Sequence, residues 1–361
     1  MTIICISIVF KHFRTTINSN GVKAELKIKQ RHRFEPVWLN ISIAAANNKL
    51  RDNTELARDI AGINIRTLPP DPVLASAENH CSSCGPIFNP TSVQLEKVPP
   101  PGFGTQDQYA VGDLSGKLLN RNKNYTHHFF IDQNSAELNG IYWDVFLAIQ
   151  GENSIVHRGL AIHKFNRDDP DNVKELLVAC GYFALFDSKS SYQIAMRSAQ
   201  ILFRYPIVGK ILLRQPRDEP WTDTTIIVEY LIHADGAALN NSQSHRWGVH
   251  AAAPGIDFYN WTGRCLSTLD TYNPYKVYFD KSAPENRCDQ VNRQLCRLGD
   301  LSNRLGTLSI GGRKAERTLS RTIFNDQHLP LGGAHSIIGK SMVIFDDKGP
   351  VARGDRLACS M

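Results

Sequence analysis

No stretch of this 361-residue chain reaches the roughly 18 consecutive apolar residues of a membrane-spanning helix, so nothing in it is expected to cross a bilayer. Charge of one sign is not in excess either: 41 basic residues face 35 acidic ones. The resulting net +6 favours acidic partners only mildly and gives no reason to expect nucleic-acid binding. No Cys-x-Cys occurs, which argues against a copper carrier built on paired thiolates. Helical periodicity is scarce as well, and residues 171–177 and 191–203 are the candidate helices. A disorder signature is missing too, since 42% of the residues are hydrophobic, enough for two ordinary cores.

What the chain does contain is itself, twice. Val111-Gly-Asp-Leu-Ser115 returns as Leu298-Gly-Asp-Leu-Ser302, and Gly151-Glu-Asn-Ser-Ile155 as Gly333-Ala-His-Ser-Ile337. Cys81-Ser-Ser-Cys-Gly-Pro-Ile-Phe-Asn-Pro90 pairs with Cys265-Leu-Ser-Thr-Leu-Asp-Thr-Tyr-Asn-Pro274, and Val178-Ala-Cys180 with Leu357-Ala-Cys359. The offsets are about 180 residues, far above the 20–50 of solenoid repeats and suited to one globular domain each. Elsewhere apolar and polar residues alternate, as at 37–43, 141–147, 225–232 and 340–345, the pattern of half-buried strands. The expectation is an all-β chain of two sandwiches or barrels with long loops.

Eight cysteines offer pairs that a sandwich can use: Cys81 or Cys84 with Cys180, Cys265 with Cys359, and Cys288 with Cys296 across a short loop. That leaves Cys5 and one of Cys81 and Cys84. Four Asn-x-Ser/Thr sequons, at Asn40, Asn124, Asn240 and Asn260, fit the same oxidising, extracellular compartment and are candidate glycosylation sites. The apolar run at residues 3–10 lacks a basic flank and a small-x-small cleavage site. It makes a poor signal peptide and reads equally well as a strand.

Taken together, the motifs resemble copper/zinc superoxide dismutase over nearly all of the chain. The resemblance implies two tandem Greek-key β-barrels or sandwiches of that type: an N-terminal extension at 1–20, a first repeat at 21–187 and a second at 188–361. It also implies where a histidine-rich copper and zinc site belongs. In the first repeat Asn64 and Arg66 stand at the two strand histidines and Ile87 at the bridging one. Leu95 and Ala110 stand at the remaining zinc histidines, Asn153 at the last copper histidine and Leu177 at the anion-attracting arginine. Asp113 alone survives, and an aspartate in such a turn commonly caps backbone amides.

The second repeat keeps more of the implied set: His250, His335 and Asp300 as metal ligands, Arg356 as the arginine, and His245 at a histidine that serves structure. Gly248, Thr271, Phe279 and Arg297 replace the other histidines. Copper and zinc are held by imidazole and carboxylate groups that aliphatic side chains cannot replace, so two imidazoles of six make a poor site. The resemblance therefore implies a dismutase fold without dismutation, acting outside the cell as a binding or structural component through a protein partner or self-association. The alternative is residual copper or zinc, and residual dismutase activity, in the second repeat. There His250 and His335, with His245 as a third ligand, would have to converge on one point.

Lys27, Lys29, Arg31 and Arg33 alternate with apolar residues and would line one strand face, a surface for a heparin-like polyanion or a charged edge that discourages aggregation. The pairs His127–His128 and His157–His163 lack companions at ligand spacing and read as ordinary histidines. The second repeat also ends two residues after Cys359, without the apolar stretch that follows Cys180. The expectation is a missing closing strand, with residues 3–10 a candidate to fill the gap by strand addition.

Overall fold

A computed structural model describes residues 11–19, 21–30, 35–46, 60–74, 80–118, 138–165, 175–186, 194–219, 221–234, 240–260, 262–278, 288–312, 320–346 and 355–361. The chain divides into two units, Met1–Ile194 and Ala195–Met361. Cys5, the run at 3–10, Arg31, Arg33, Asn124, His127, His128 and Phe279 lie outside the described residues.

The first unit contains β1 (Lys11–Ser19), β2 (Val22–Gln30), β3 (Val37–Ala45), β4 (Ile60–Arg66), β5 (Leu138–Asp144), β6 (Gly159–Phe165), β7 (Glu175–Tyr182) and β8 (Ala184–Phe186). They form two antiparallel sheets, in the orders β5-β3-β2-β1-β8 and β4-β6-β7. Strand β1 takes up residues 11–19 of the segment read as an N-terminal extension, and it is a full member of the first sheet, paired with β2 and β8. Alternation decides the inner face. Val22, Ala24, Leu26 and Ile28 of β2 are buried while Lys23 and Lys27 between them are exposed. Opposite lie Ile63, Ile65, Leu160 and Ile162 of the second sheet, in one core cluster. Burial of such side chains contributes about 1.5–3 kcal/mol each. One chain bridges the corner: β7 pairs with β6, buried Phe183 turns it, and β8 pairs with β1.

The second unit contains β9 (Met196–Phe203), β10 (Ile207–Pro216), β11 (Thr224–His233), β12 (Ser242–His245), β13 (Trp247–His250), β14 (Leu308–Ile310), β15 (Thr322–Asp326), β16 (Ser341–Asp346) and β17 (Asp355–Ser360). Its main sheets have the orders β15-β11-β10-β9 and β13-β16-β17, the same sequence of neighbours as in the first unit, and β12 pairs with β14. The core packs Ile201, Ile211 and Val228 against Trp247, Val249 and Ile344. Among the described residues no strand pairs with the far edge of β9, though Ser360 Oγ donates to Leu202 O at 2.7 Å.

Both units are thus built mainly of two antiparallel sheets, and among the described residues these sheets do not close into barrels. The candidate helices are corrected: 175–177 opens β7 and 196–203 is β9. Buried Ile201 and Phe203 flank exposed Leu202, and a ladder of eight residues to β10 outweighs a weak local period. Among the described residues no helix is long and apolar enough to cross a membrane.

Candidate functional site

Three segments meet at one point in each unit. In the first, Ile65 N–H donates to Gly112 O (2.7 Å), Gly112 N–H to Phe88 O (2.7 Å) and Phe88 N–H to Ile65 O (2.9 Å). The second repeats this triangle with Val249, Gly299 and Tyr272, each bond 2.8 Å. Glycine is required there, because a β-carbon at 112 would stand 2.3 Å from Ile65 O and one at 299 would stand 2.1 Å from Val249 O. The other repeated motif residues also bond to backbone. Ser115 Oγ accepts from Ile63 N and Ser302 Oγ from Trp247 N; Asn89 Oδ1 accepts from Val93 N and Asn273 Oδ1 from Val277 N. Asp113 accepts from Gly116 N (2.8 Å), and Asp300 caps the helix Leu301–Leu305 through Asn303 N.

This scaffold aligns the positions that the sequence singled out. Backbone bridges join Asn64 to Asp113 and Arg66 to Ile87 in the first unit, and Gly248 to Asp300 and His250 to Thr271 in the second. In the first, Arg66 Nη2 lies 3.0 Å from His163 Nε2. A guanidinium carries only N–H groups, so His163 Nε2 is the acceptor and the imidazole is neutral. Burial, with the Arg66 charge beside it, pushes the His163 pKa down to about 4. Asn64 sits between, its amide 3.1 Å from His163 Nε2 and 3.2 Å from Asp113 Oδ1. Burial raises the Asp113 carboxyl above its usual range, against the Gly116 amide and the Lys117 charge. A fixed cation and an amide therefore fill the position, and the donor set does not fit copper or zinc. Leu95 is exposed, Ala110 is buried and Asn153 is exposed.

In the second unit His250 is buried, its ring 5.7 Å from that of Phe345, and its Nδ1–H donates to Leu269 O at 2.7 Å. Among the described residues its Nε2 has no hydrogen-bond partner. Burial lowers its pKa, aided by the Arg356 charge and opposed by the Leu269 carbonyl. Arg356 is half-buried, and its guanidinium donates to Cys265 O (2.5 Å), Thr268 Oγ1 (3.0 Å) and Leu269 O (2.7 Å). Cys265 and Leu269 both have positive φ, 61° and 62°, so His250 and Arg356 fasten a turn of unfavourable backbone beside the Cys265–Cys359 disulfide. Gly248 leaves no room for a side chain: a β-carbon would lie 2.5 Å from Gly299 O.

His335 is half-buried with its ring 4.8 Å from Tyr275. His245 donates from Nδ1 to Phe345 O (2.9 Å), and its Nε2 accepts from Ser242 Oγ (2.7 Å), on which His233 Nε2 also converges. Among the described residues the imidazoles of His245, His250 and His335 do not gather within ligand distance, nor do His250, His335 and Asp300. One group does: His80, Cys81 and Cys180 present ligand atoms within 4.8 Å of one another. Cys81 and Cys180 are bonded to each other, however, so their sulfurs are not thiolates in this state.

Among the described residues three disulfides are present: Cys81–Cys180, Cys265–Cys359 and Cys288–Cys296. Cys81 rather than Cys84 takes Cys180, and Cys84 is a buried thiol in the same cluster. Of the sequons, Asn240 and Asn260 are exposed, whereas Asn40 is half-buried in β3. His157 and His163 are both buried and, among the described residues, belong to no ligand group.

Sequence reasoning missed a buried ion pair that each unit repeats: Lys117–Asp144, with both side chains at 0% exposure, and Arg304–Asp326, with both at 1%. The signal was available as a base three residues after each Gly-Asp-Leu leucine, at 117 and 304, matched by an aspartate at 144 and 326. No family model matches the chain, and no curated protein does.

Proposed function

We propose that the chain is a tandem protein of two superoxide dismutase-like repeats that does not dismutate superoxide and serves outside the cell as a binding or structural component. The observation that carries this reading is the use made of the surviving residues. Ser115, Ser302, Asn89, Asn273, Asp113 and Asp300 of the repeated motifs hold backbone, while Arg66 puts a permanent cation at the first unit's ligand position and Arg356 directs its donors to the Cys265–Leu269 turn. Dismutation needs a metal that cycles between oxidation states inside a fixed ligand set, and among the described residues neither unit gathers such a set. Three disulfides support an oxidising compartment. The exposed sequons Asn240 and Asn260 support N-glycosylation there.

The rival reading, copper or zinc on the second unit, has one observation in its favour: buried His250 Nε2 lacks a hydrogen-bond partner among the described residues. Two measurements on purified protein separate the readings. Elemental mass spectrometry after dialysis against copper and zinc is expected to find no stoichiometric metal, and superoxide turnover is expected to match buffer. Stoichiometric copper that disappears in His250→Ala/His335→Ala, together with turnover, would overturn the proposal.

A further inference from the structure

We infer that the outer face of the first unit's larger sheet binds a sulfated acidic polysaccharide. The inference deepens the binding role proposed above by naming its partner class. On this face the ladder sets Trp143 of β5 opposite Trp38 of β3 and Trp38 opposite Lys29 of β2; in the next rung Ile141 faces Asn40 and Asn40 faces Lys27. Neighbouring strands lie roughly 4.8 Å apart, so the first rung is a row of two indoles and an ammonium, and the second a row of apolar, polar and cationic groups. Trp143 is 62% exposed and Ile141 63%, at the sheet edge. The Gln106 side chain pins that edge, donating to Trp143 O (2.8 Å) and accepting from Val145 N (3.0 Å).

Charge accompanies the aromatic surface. Among the described residues of β1 and β2, Arg14, Lys23, Lys27 and Lys29 face one carboxylate, Glu25, which Arg14 and Lys27 share. Lys29 Nζ stands 4.8 Å from the Trp38 ring centroid, a cation–π contact that holds the ammonium beside the indole.

The fold does not demand these residues. Aligned through the repeated ion pairs Lys117–Asp144 and Arg304–Asp326, the second unit builds the Trp38–Trp143 rung from Thr225 and Asn325. Both are buried, and Thr225 Oγ1 donates to Asn325 Oδ1 at 3.0 Å. Ile227 replaces Asn40, and Leu212 replaces Lys27. Arg214, opposite Thr225, keeps the Lys29 cation, so it is the pair of indoles, exposed Trp143 beside half-buried Trp38, that is peculiar to one copy, and exposed apolar surface of that kind marks binding surfaces. The C–H face of a sugar ring stacks on indole, and its sulfate or carboxylate groups meet lysine and arginine. Nucleic acid would satisfy the same charges, but the disulfides point to a compartment where acidic polysaccharide is the polyanion at hand.

The test uses the whole chain carrying Asn40→Gln, so that no N-glycan stands on the face. The probes are a heparin oligosaccharide, its desulfated counterpart and duplex DNA of matched charge. Heparin is expected to bind with salt-sensitive affinity and the desulfated oligosaccharide not to bind. Duplex DNA is expected to bind at least about tenfold more weakly, because its bases stack on one another and leave no ring face for the indoles. Trp143→Ala should weaken heparin binding by at least about tenfold with the salt slope unchanged, and Lys27→Gln/Lys29→Gln should flatten that slope by about 2. Both substitutions lie at the surface and should leave thermal unfolding unmoved. No heparin binding, unchanged affinity in Trp143→Ala, or DNA bound as tightly as heparin would overturn the inference. None of these results touches the superoxide assay, so a failure here leaves the non-catalytic reading standing.

Discussion

Removing the carboxylate of Asp326 should destabilise the second unit by about 3–5 kcal/mol, the usual cost of leaving a buried charge without its counter-ion. Asp326 Oδ2 receives Arg304 Nε (3.0 Å) and Nη2 (2.6 Å), and its Oδ1 receives His328 N (2.8 Å). In Asp326→Ala the guanidinium keeps its bonds to Arg297 O and Leu298 O, both 2.9 Å, and loses the only charge that these contacts place beside it. For a unit of this size, 1 kcal/mol moves the midpoint by roughly 2–4 °C, so a fall of about 6–20 °C is expected. Hydrogen exchange read by mass spectrometry localises the effect: protection in β13 and β16 should drop while β4 and β6 are unchanged. Arg304→Met/Asp326→Leu, which removes both charges and keeps apolar volume, should be less destabilised than the single variant. A single-variant cost below about 1 kcal/mol, or a double variant as unstable as the single, would refute the reasoning.

The first unit should lose stability in acid through His163. Its folded pKa of about 4 lies below the ordinary 6.5, so the unfolded chain takes the proton first. Stability is then complete above pH 6.5 and falls by about 3 kcal/mol as the pH drops to about 4. Urea titrations across that window check it, and His163→Gln, which keeps an acceptor for Arg66 and cannot gain the charge, should flatten the profile. The disulfides should differ in worth. Removing Cys265–Cys359, which closes 94 residues, should cost about 4.7 kcal/mol by loop entropy, and removing Cys288–Cys296, which closes 8, about 2.5 kcal/mol. Equal losses in denaturant unfolding of the two paired-alanine variants would refute that ordering.

Duplication and strand character were legible because both are written locally. Gly112 and Gly299 cannot be replaced at their backbone triangles, and Ile28, Leu39 and Ile41 alternate against a core. Residues 196–203 misled because their strand state comes from pairing with β10, which a local window does not contain. The choice of Cys81 over Cys84 was open for a similar reason: three residues apart on one 3-10 turn, both point into the same cluster. The candidate site was legible as a set of positions, since Asn64, Arg66, Gly248 and His250 do bridge to their counterparts. The use of Arg356 and His250 as fasteners of Leu269 was not, because it depends on a turn of positive φ that no residue type there announces.

The close approach at Gly248 bears on history as well as on chemistry. If, as the proposed resemblance would have it, a histidine once stood at 248, restoring it would drive a β-carbon to 2.5 Å from the Gly299 carbonyl. That obstacle is not a missing ligand but a backbone that has closed over the place the ligand needs. Reversion would require the segments around Val249 and Gly299 to part before any histidine brought benefit, so intermediates would be less stable and no more active. On the proposed reading the close approach works as a ratchet: while the segments around Val249 and Gly299 lie this near, no single substitution at 248 returns the chain to the metal.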